Sequence, residues 1–351
     1  MQYQSCSYLQ NFQFRVWLDR IQFCCEPTPN ATAGHPAIFF KETPEETLQE
    51  FIKMRTDIIT ESVRASLSNK DMPLEAREHT IKCAQCSRYQ KATWGGGQIT
   101  FVNFAFAPAP CQSKCIYCIL PNHSEKFDKE KHAPLYERAF EVIEYAHENG
   151  YVHPNAEYSV ASSEISVHPY RSRIYAITKG KHVKFLTNCF LFDENIARNL
   201  EANPKSSIYF SIDSGTDKTW QKVKGVNNFV TVRNNLIAYS QICKPGQIAL
   251  KYIILPGIND NNEDFNGVII LMKMLNIPQL VISREMIDLS PPERHTLHAN
   301  HENLRDKEMN AAALFVACLH ANKLTWDFWA FTPEEIKIIS SNAVRLLNQM
   351  T

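Results

Sequence analysis

Between residues 98 and 284 the chain switches repeatedly between two rhythms of apolar positions. Short apolar, β-branched runs read as strands: QITFVNF (98–104), YSVAS (158–162), VKFLT (183–187), IYFSID (208–213), IALKYIIL (248–255) and QLVIS (279–283). Between them the apolar spacing is helical. PLYERAFEVIEYAHE (134–148) opens with Pro134 and puts Leu135, Ala139, Val142, Ile143 and Ala146 on one face. Asp193 is placed to cap a helix that buries Ile196 and Leu200. Further helices are predicted near 228–241 and 262–275. Six strands alternating with helices predict βα units and a parallel sheet. Right-handed crossovers curl such a sheet toward a barrel or wind it doubly. Either way, functional groups belong at the carboxyl ends of the strands.

The rhythm changes on both sides of this stretch. Residues 1–95 predict a hairpin, FRVWLDRIQF (14–23), and a long helix opened by the capping box TPEE (43–46). Residues 286–351 begin with the loop LSPPERH, then give a helix near 304–321, a strand within LTWDFWAF and a last helix opened by a second TPEE (332–335). The aromatic run WDFWAF (326–331) either lines a pocket or packs as an apolar strand. Three segments are expected: a cysteine-containing module over 1–95, an α/β core over 96–285 and a C-terminal extension over 286–351.

Charge and composition exclude several classes of function. Lys+Arg and Asp+Glu are equal at 37 each, so there is no electrostatic footprint for nucleic acid or for an anionic membrane. No apolar stretch reaches the length of a membrane span, and the N-terminus lacks the basic start and apolar core of a signal peptide. A cytoplasmic protein is expected. Eleven cysteines in a reducing compartment then point to metal or redox chemistry rather than to disulfides.

Three of them crowd into PAPCQSKCIYCI (108–119), where Cys111, Cys115 and Cys118 are spaced C-x3-C-x2-C. The loop directly follows the first predicted strand of the core. Soft thiolates select zinc, copper(I) or iron–sulfur clusters. A structural zinc site wants four closed ligands. Three thiolates on a four-iron cluster leave one iron open for a substrate or cofactor.

C-x3-C-x2-C with an aromatic, Tyr117, just before the last cysteine resembles the signature of the radical S-adenosylmethionine (radical SAM) superfamily. The resemblance implies a partial (β/α)6 barrel and a catalytic 4Fe-4S cluster on Cys111, Cys115 and Cys118, with Tyr117 beside the cofactor. In that family the open iron binds the amino and carboxylate groups of S-adenosylmethionine. One electron then cleaves the sulfonium to methionine and a 5′-deoxyadenosyl radical, which takes hydrogen from a substrate. An electron donor such as flavodoxin or ferredoxin is implied as a partner.

Later stretches fall in the family's order. SSEISVHP (162–169) resembles its Gly-Gly-Glu motif, so Ser162, Ser163 and Glu164 would supply acceptors for the cofactor's ammonium group. Two serines replace two glycines there. LTNCF (186–190) resembles its Thr-Asn-Gly turn and contributes Asn188, with Cys189 as the small residue in place of glycine. FSIDSGTDKTWQKVKG (210–225) is similar to its Ser-x-Asp-Gly stretch followed by Arg-Gly. Ser211 and Asp213 would face the ribose, and Lys224 would stand for the arginine near the carboxylate, without its bidentate fork. LPGINDN (255–261) is similar to the adenine-side turn, although Gly257, Asn259 and Asp260 are also plain turn formers. His168 precedes Pro169 as in the family, and His123 is a candidate substrate contact. Neither has a recognisable nucleophile or carboxylate partner, so hydrolytic catalysis is not indicated.

A second cysteine set precedes the core. Cys83 and Cys86 form a C-x2-C knuckle, Cys24 and Cys25 close the predicted hairpin, and Cys6 lies before it. Together they can make a four-thiolate site for zinc or for iron and sulfur. The arrangement is similar to a reduced form of the auxiliary-cluster extension called SPASM, which usually follows the radical core instead. That resemblance implies a second 4Fe-4S cluster handling electrons and a peptide or protein substrate undergoing oxidation, crosslinking or epimerisation. A zinc ion there would be structural. Two other readings stay open: dehydrogenation or epimerisation of a small molecule such as a sugar or amine, and a non-catalytic iron–sulfur or zinc protein.

Overall fold

The computed structural model describes residues 3–6, 10–23, 37–68, 89–92, 96–118, 127–161, 164–285 and 304–350. The chain forms two compact units interleaved along the sequence. The first comprises Met1–Ala109, Lys126–Ser162 and Ala176–Val183. The second comprises Pro110–Glu125, Ser163–Tyr175 and Lys184–Thr351.

In the first unit, β1 (Tyr3–Cys6) pairs antiparallel with β5 (Tyr89–Ala92). The predicted hairpin forms from β2 (Gln13–Val16) and β3 (Arg20–Gln22), with Arg15 opposite Gln22. Then β4 (Ala37–Phe39) extends it on the outer side. On its inner side β2 runs parallel to β6 (Ile99–Phe104), and β6 runs parallel to β7 (Val152–Val160). The first capping box also forms at α1 (Pro44–Ser68): the Thr43 hydroxyl accepts from the Glu46 N–H, and the Glu46 carboxylate accepts from the Thr43 N–H, both at 3.1 Å. Phe51 of α1 stacks on Phe23 at a centroid distance of 4.2 Å, so aromatic burial holds the helix on the hairpin.

The helix α2 (Lys129–Glu148) starts earlier than Pro134. Its true cap is Asp128, whose side chain accepts from the N–H groups of Glu130 and Lys131. Proline therefore sits inside the helix, where its missing N–H forfeits a bond to the carbonyl four residues earlier. The buried face is also turned. Tyr136 is fully buried and donates to the Pro108 carbonyl at 2.8 Å, whereas Leu135 is exposed.

The second unit carries the longer run of parallel strands. In order they are β8 (His182–Leu186, of which Lys184–Leu186 belong to this unit), β9 (Ser207–Ser211), β10 (Ile248–Ile254), β11 (Gln279–Arg284) and β12 (Thr325–Trp329), each parallel to the next. Helices separate them: α4 (Glu194–Ala202) capped by Asp193, α5 (Asp217–Lys224), α6 (Phe229–Ile242), α7 (Asn262–Met274) and α8 (Leu304–Ala321), with α9 (Pro333–Met350) last. Before β8 lies α3 (Arg171–Thr178). WDFWAF is thus mostly strand, pairing β12 with β11. Alternate residues of each strand face the helices. Phe210 stacks on Trp220 of α5, and Tyr252 meets Phe265 of α7 and Phe315 of α8 edge-on. Tyr209, Ser211, Ala249 and Lys251 therefore face the other way.

The class is α/β, built on parallel strands alternating with helices, as the radical SAM barrel requires. No helix among the described residues is long and apolar enough to cross a membrane.

Candidate active site

The cysteine loop is pinned to the end of α5. The Lys114 N–H donates to the Lys224 carbonyl at 2.8 Å, and the Ile116 N–H donates to the Val223 carbonyl at 3.0 Å. This approach is possible because residue 225 is glycine. Gly225 closes α5 in the left-handed region at φ 70°, and a Cβ there would lie 2.8 Å from the Lys114 Cβ. Glycine is needed for both reasons. Ile116 and Tyr117 then pack on Val223, Ile253 and Leu255. The Ser113 hydroxyl lies 2.8 Å from the Cys115 sulfur.

Beyond β8, Asn188 reaches the same loop. Its amide nitrogen donates to the Gln112 side chain at 3.1 Å and to the Cys111 sulfur at 3.7 Å. Glu164 fixes this turn from beneath. One carboxylate oxygen accepts from the Ser166 N–H, the Ser166 hydroxyl and the Thr187 hydroxyl, and the other accepts from the Asn188 N–H at 2.6 Å. Burial raises the Glu164 pKa, and these four donors work against the rise. Cys189 occupies the left-handed region at φ 53° and is fully buried, which accounts for a small residue at that point of the turn.

Asp213, Lys224 and Tyr117 form one buried group. The Lys224 ammonium lies 2.6 Å from the Asp213 carboxylate and 2.5 Å from the Tyr117 hydroxyl, which itself donates to Asp213. The second Asp213 oxygen accepts from the Ile253 N–H at 2.7 Å. Burial is the largest influence on Lys224 and works to lower its pKa, but the Asp213 charge and hydrogen bond together with Cys115 and Cys111 outweigh it, and the net shift is upward. Burial, followed by the Asp213 charge, drives Tyr117 well above its ordinary value, so the hydroxyl stays protonated. Ser211 ends β9 two residues before Asp213, and no side-chain hydrogen bond from the described residues engages it.

Two polar residues that hold this arrangement carried only a turn signal in the sequence, or none. Asn259 is fully buried; its amide donates to the Asp213 carbonyl at 2.9 Å and to the Ile253 carbonyl at 2.8 Å. Asp264 accepts from the Gly215 N–H at 2.9 Å and from the Thr219 hydroxyl at 2.8 Å, tying α5 to α7. Asp264 reads as an ordinary first-turn acid in sequence. His168 is buried and held neutral, its pKa lowered to about 4 by burial.

Ser162, Ser163, His123, Cys24, Cys25, Cys83, Cys86 and the LSPPERH loop lie outside the described residues. Cys6 ends β1 opposite Tyr89. Cys111, Cys115, Cys118, Tyr117, Glu164, Asn188, Ser211, Asp213 and Lys224 all belong to the second unit.

The loop's donor chemistry fits an iron–sulfur cluster. Cys111 is exposed as a residue, yet desolvation of its thiol, followed by the nearby Glu164, Cys115 and Cys118, pushes its pKa up to about 12 against a favourable Ser113 N–H. Such thiols become thiolates when a metal takes the proton's place. Among the described residues no three His, Cys, Asp or Glu side chains converge to hold a single ion. A four-iron cluster makes no such demand, since each thiolate takes its own iron.

Comparison with known proteins agrees with this chemistry. Residues 110–269 match the family described as the Radical SAM superfamily. No curated protein matches the chain. Among solved structures it is similar to Streptococcus suis SuiB bound to precursor peptide SuiA, with a TM-score of 0.49 and 13% identity over 93% of this chain and 73% of that one. SuiB bound to S-adenosylmethionine gives a TM-score of 0.47 and 13% identity over the same shares, 93% and 73%. A radical SAM methyltransferase from Sphaerobacter thermophilus gives 0.38 and 13% over 62% and 63%. Residues 110–269 are a radical SAM domain.

Proposed function

We propose that this chain is a radical SAM enzyme whose catalytic cluster rides on Cys111, Cys115 and Cys118, and whose substrate is a peptide or protein. The observation that carries the first half is the cysteine loop held by backbone bonds to Val223 and Lys224, within the matched domain. When bound, a four-iron cluster and S-adenosylmethionine supply the radical that takes hydrogen from the substrate. The chain's own residues place and protect that chemistry. Asn188 donates to the Cys111 sulfur and so steadies the first ligand. Glu164 orients Asn188. Ser162, Ser163 and Ser211 offer acceptors to the cofactor. Asp213 and Lys224 spend their charges on each other and on Tyr117, and act on the cofactor through the position of that ring.

The peptide half rests on the N-terminal cysteines and their resemblance to an auxiliary-cluster module. Supporting it, the pairing of β1 with β5 sets Cys6 opposite Tyr89, three residues beyond Cys86 in sequence. A second cluster there would accept an electron from the substrate radical, whereas zinc would be structural.

Iron and sulfide are to be counted after anaerobic reconstitution of the wild type and of the Cys111→Ala/Cys115→Ala/Cys118→Ala variant. About eight irons falling to about four is expected with two clusters. A fall from about four to none removes the auxiliary cluster and the main support for a peptide substrate. Mass spectrometry after incubation with a neighbouring-gene peptide, against a metabolite pool, then decides the substrate class.

A further inference from the structure

The strand face turned away from the helices carries charge that the cofactor site does not use. Lys251 lies in the middle of β10, between Leu250 and Tyr252, which are buried on the helix side. Its ammonium lies 4.2 Å from the centre of the Trp329 ring on β12, two strands away. No side-chain hydrogen bond or ion pair from the described residues reaches it, and the Trp329 ring is the aromatic face it rests on. In the register it stands beside Ser211, one step below Asp213 toward the strand's amino end. Asp213 offers it no ion pair, because that carboxylate is taken by Lys224, Tyr117 and the Ile253 N–H. On the same face Lys184 of β8 lies 4.5 Å over the Tyr209 ring of β9. Desolvation, before any charge, lowers Lys251 to about 8, with Lys224 and Lys184 adding to the fall and Asp213 opposing it.

We propose that Lys251, seated on Trp329, is a binding residue for a carboxylate of the substrate. An ammonium in a poorly hydrated place with no counter-ion is destabilised until an anion arrives. A carboxylate forms a charge-assisted hydrogen bond to it, and the aromatic ring holds the ammonium in place meanwhile. From mid-strand the face that Lys251 shares with Ser211 leads to the carboxyl ends of the strands, where ligands of parallel sheets gather. The carboxylate comes from an acidic side chain or from a chain terminus. This inference rests on the enzyme reading above for what the carboxylate belongs to; the anion site itself does not.

The test uses three small probes on the full, reconstituted chain, followed by calorimetry. N-acetylglutamate α-amide carries only the side-chain carboxylate, N-acetylglutamine only the terminal one, and N-acetylglutamine amide neither. One of the first two is expected to bind about tenfold more tightly than the neutral probe. The one that does names the source. Lys251→Met should abolish the difference and Lys251→Arg should keep most of it. In the wild type, the favoured probe should slow acetylation of Lys251, read by mass spectrometry, and the neutral probe should not. The proposal is overturned if neither anion outbinds the neutral probe, or if Lys251→Met keeps the preference. Unprotected Lys251 would overturn it too, as would a fall in affinity for S-adenosylmethionine in Lys251→Met as large as its fall for the carboxylate. Release of 5′-deoxyadenosine by the wild type is measured in the same preparations. Its absence beside an intact carboxylate preference defeats the enzyme reading alone.

Discussion

The Lys224 ammonium and the Asp213 carboxylate meet at 2.6 Å with their side chains 4% and 0% exposed, both bonded to the Tyr117 hydroxyl of the cysteine loop. Removing one partner leaves the other charge buried and uncompensated, which costs about 3–5 kcal/mol. Asp213→Asn and Lys224→Met are each expected to lose about that much in urea unfolding of the unreconstituted chain. The double variant should lose clearly less than the sum, because the two changes remove one shared interaction. Additive losses would show that the pair is not a unit.

Gly225 and Lys114 make the second prediction. A Cβ at residue 225 meets the Lys114 Cβ at 2.8 Å and its carbonyl oxygen at 3.1 Å, in a backbone already at φ 70°. Gly225→Ala should cost about 1–3 kcal/mol through strain. It should also push the cysteine loop off Val223 and Lys224, so iron retention after reconstitution should fall further than stability alone explains. Full iron content in this variant would show that the loop does not depend on the contact.

Glu308 predicts a pH dependence. It is 2% exposed, and burial pushes its pKa up to about 7 although Arg305 and Arg284 pull it down. Its folded pKa exceeds its unfolded one, so the folded state holds the proton longer. The stability it contributes is full below the unfolded carboxyl pKa and is lost as pH rises toward and through 7. The loss amounts to roughly 3–4 kcal/mol. Glu308→Gln should flatten the pH profile of unfolding between about pH 5 and 8 by that amount. An unchanged slope would place the titration elsewhere.

Much of the second unit was legible because burial writes a period into the sequence. Strands β8 to β11 fall within a residue or two of the apolar runs, and Asp193 caps α4 as its position suggests. Both TPEE boxes form, since a box needs only local bonds. The helix α5 was hidden. DKTWQKVK offers only Trp220 and Val223 as apolar positions, too few to set a period, and it buries Lys224 through an ion pair that no periodicity reveals. The start of α2 is not legible, because Pro134 suits a first turn while Asp128 caps the helix earlier. Of the site, the cysteines and Glu164, Asn188, Asp213 and Lys224 were visible as motifs. That Lys224 is held by Asp213 rather than standing apart, and that Lys251 meets Trp329 across two strands, depends on register and side-chain direction.

The most direct test of the account is release of 5′-deoxyadenosine. The reconstituted wild type, supplied anaerobically with a strong reductant and S-adenosylmethionine, should produce it, and the Cys111→Ala/Cys115→Ala/Cys118→Ala variant should not. A wild type that holds about four irons and binds S-adenosylmethionine yet releases none would contradict the account and leave an iron–sulfur protein without radical catalysis.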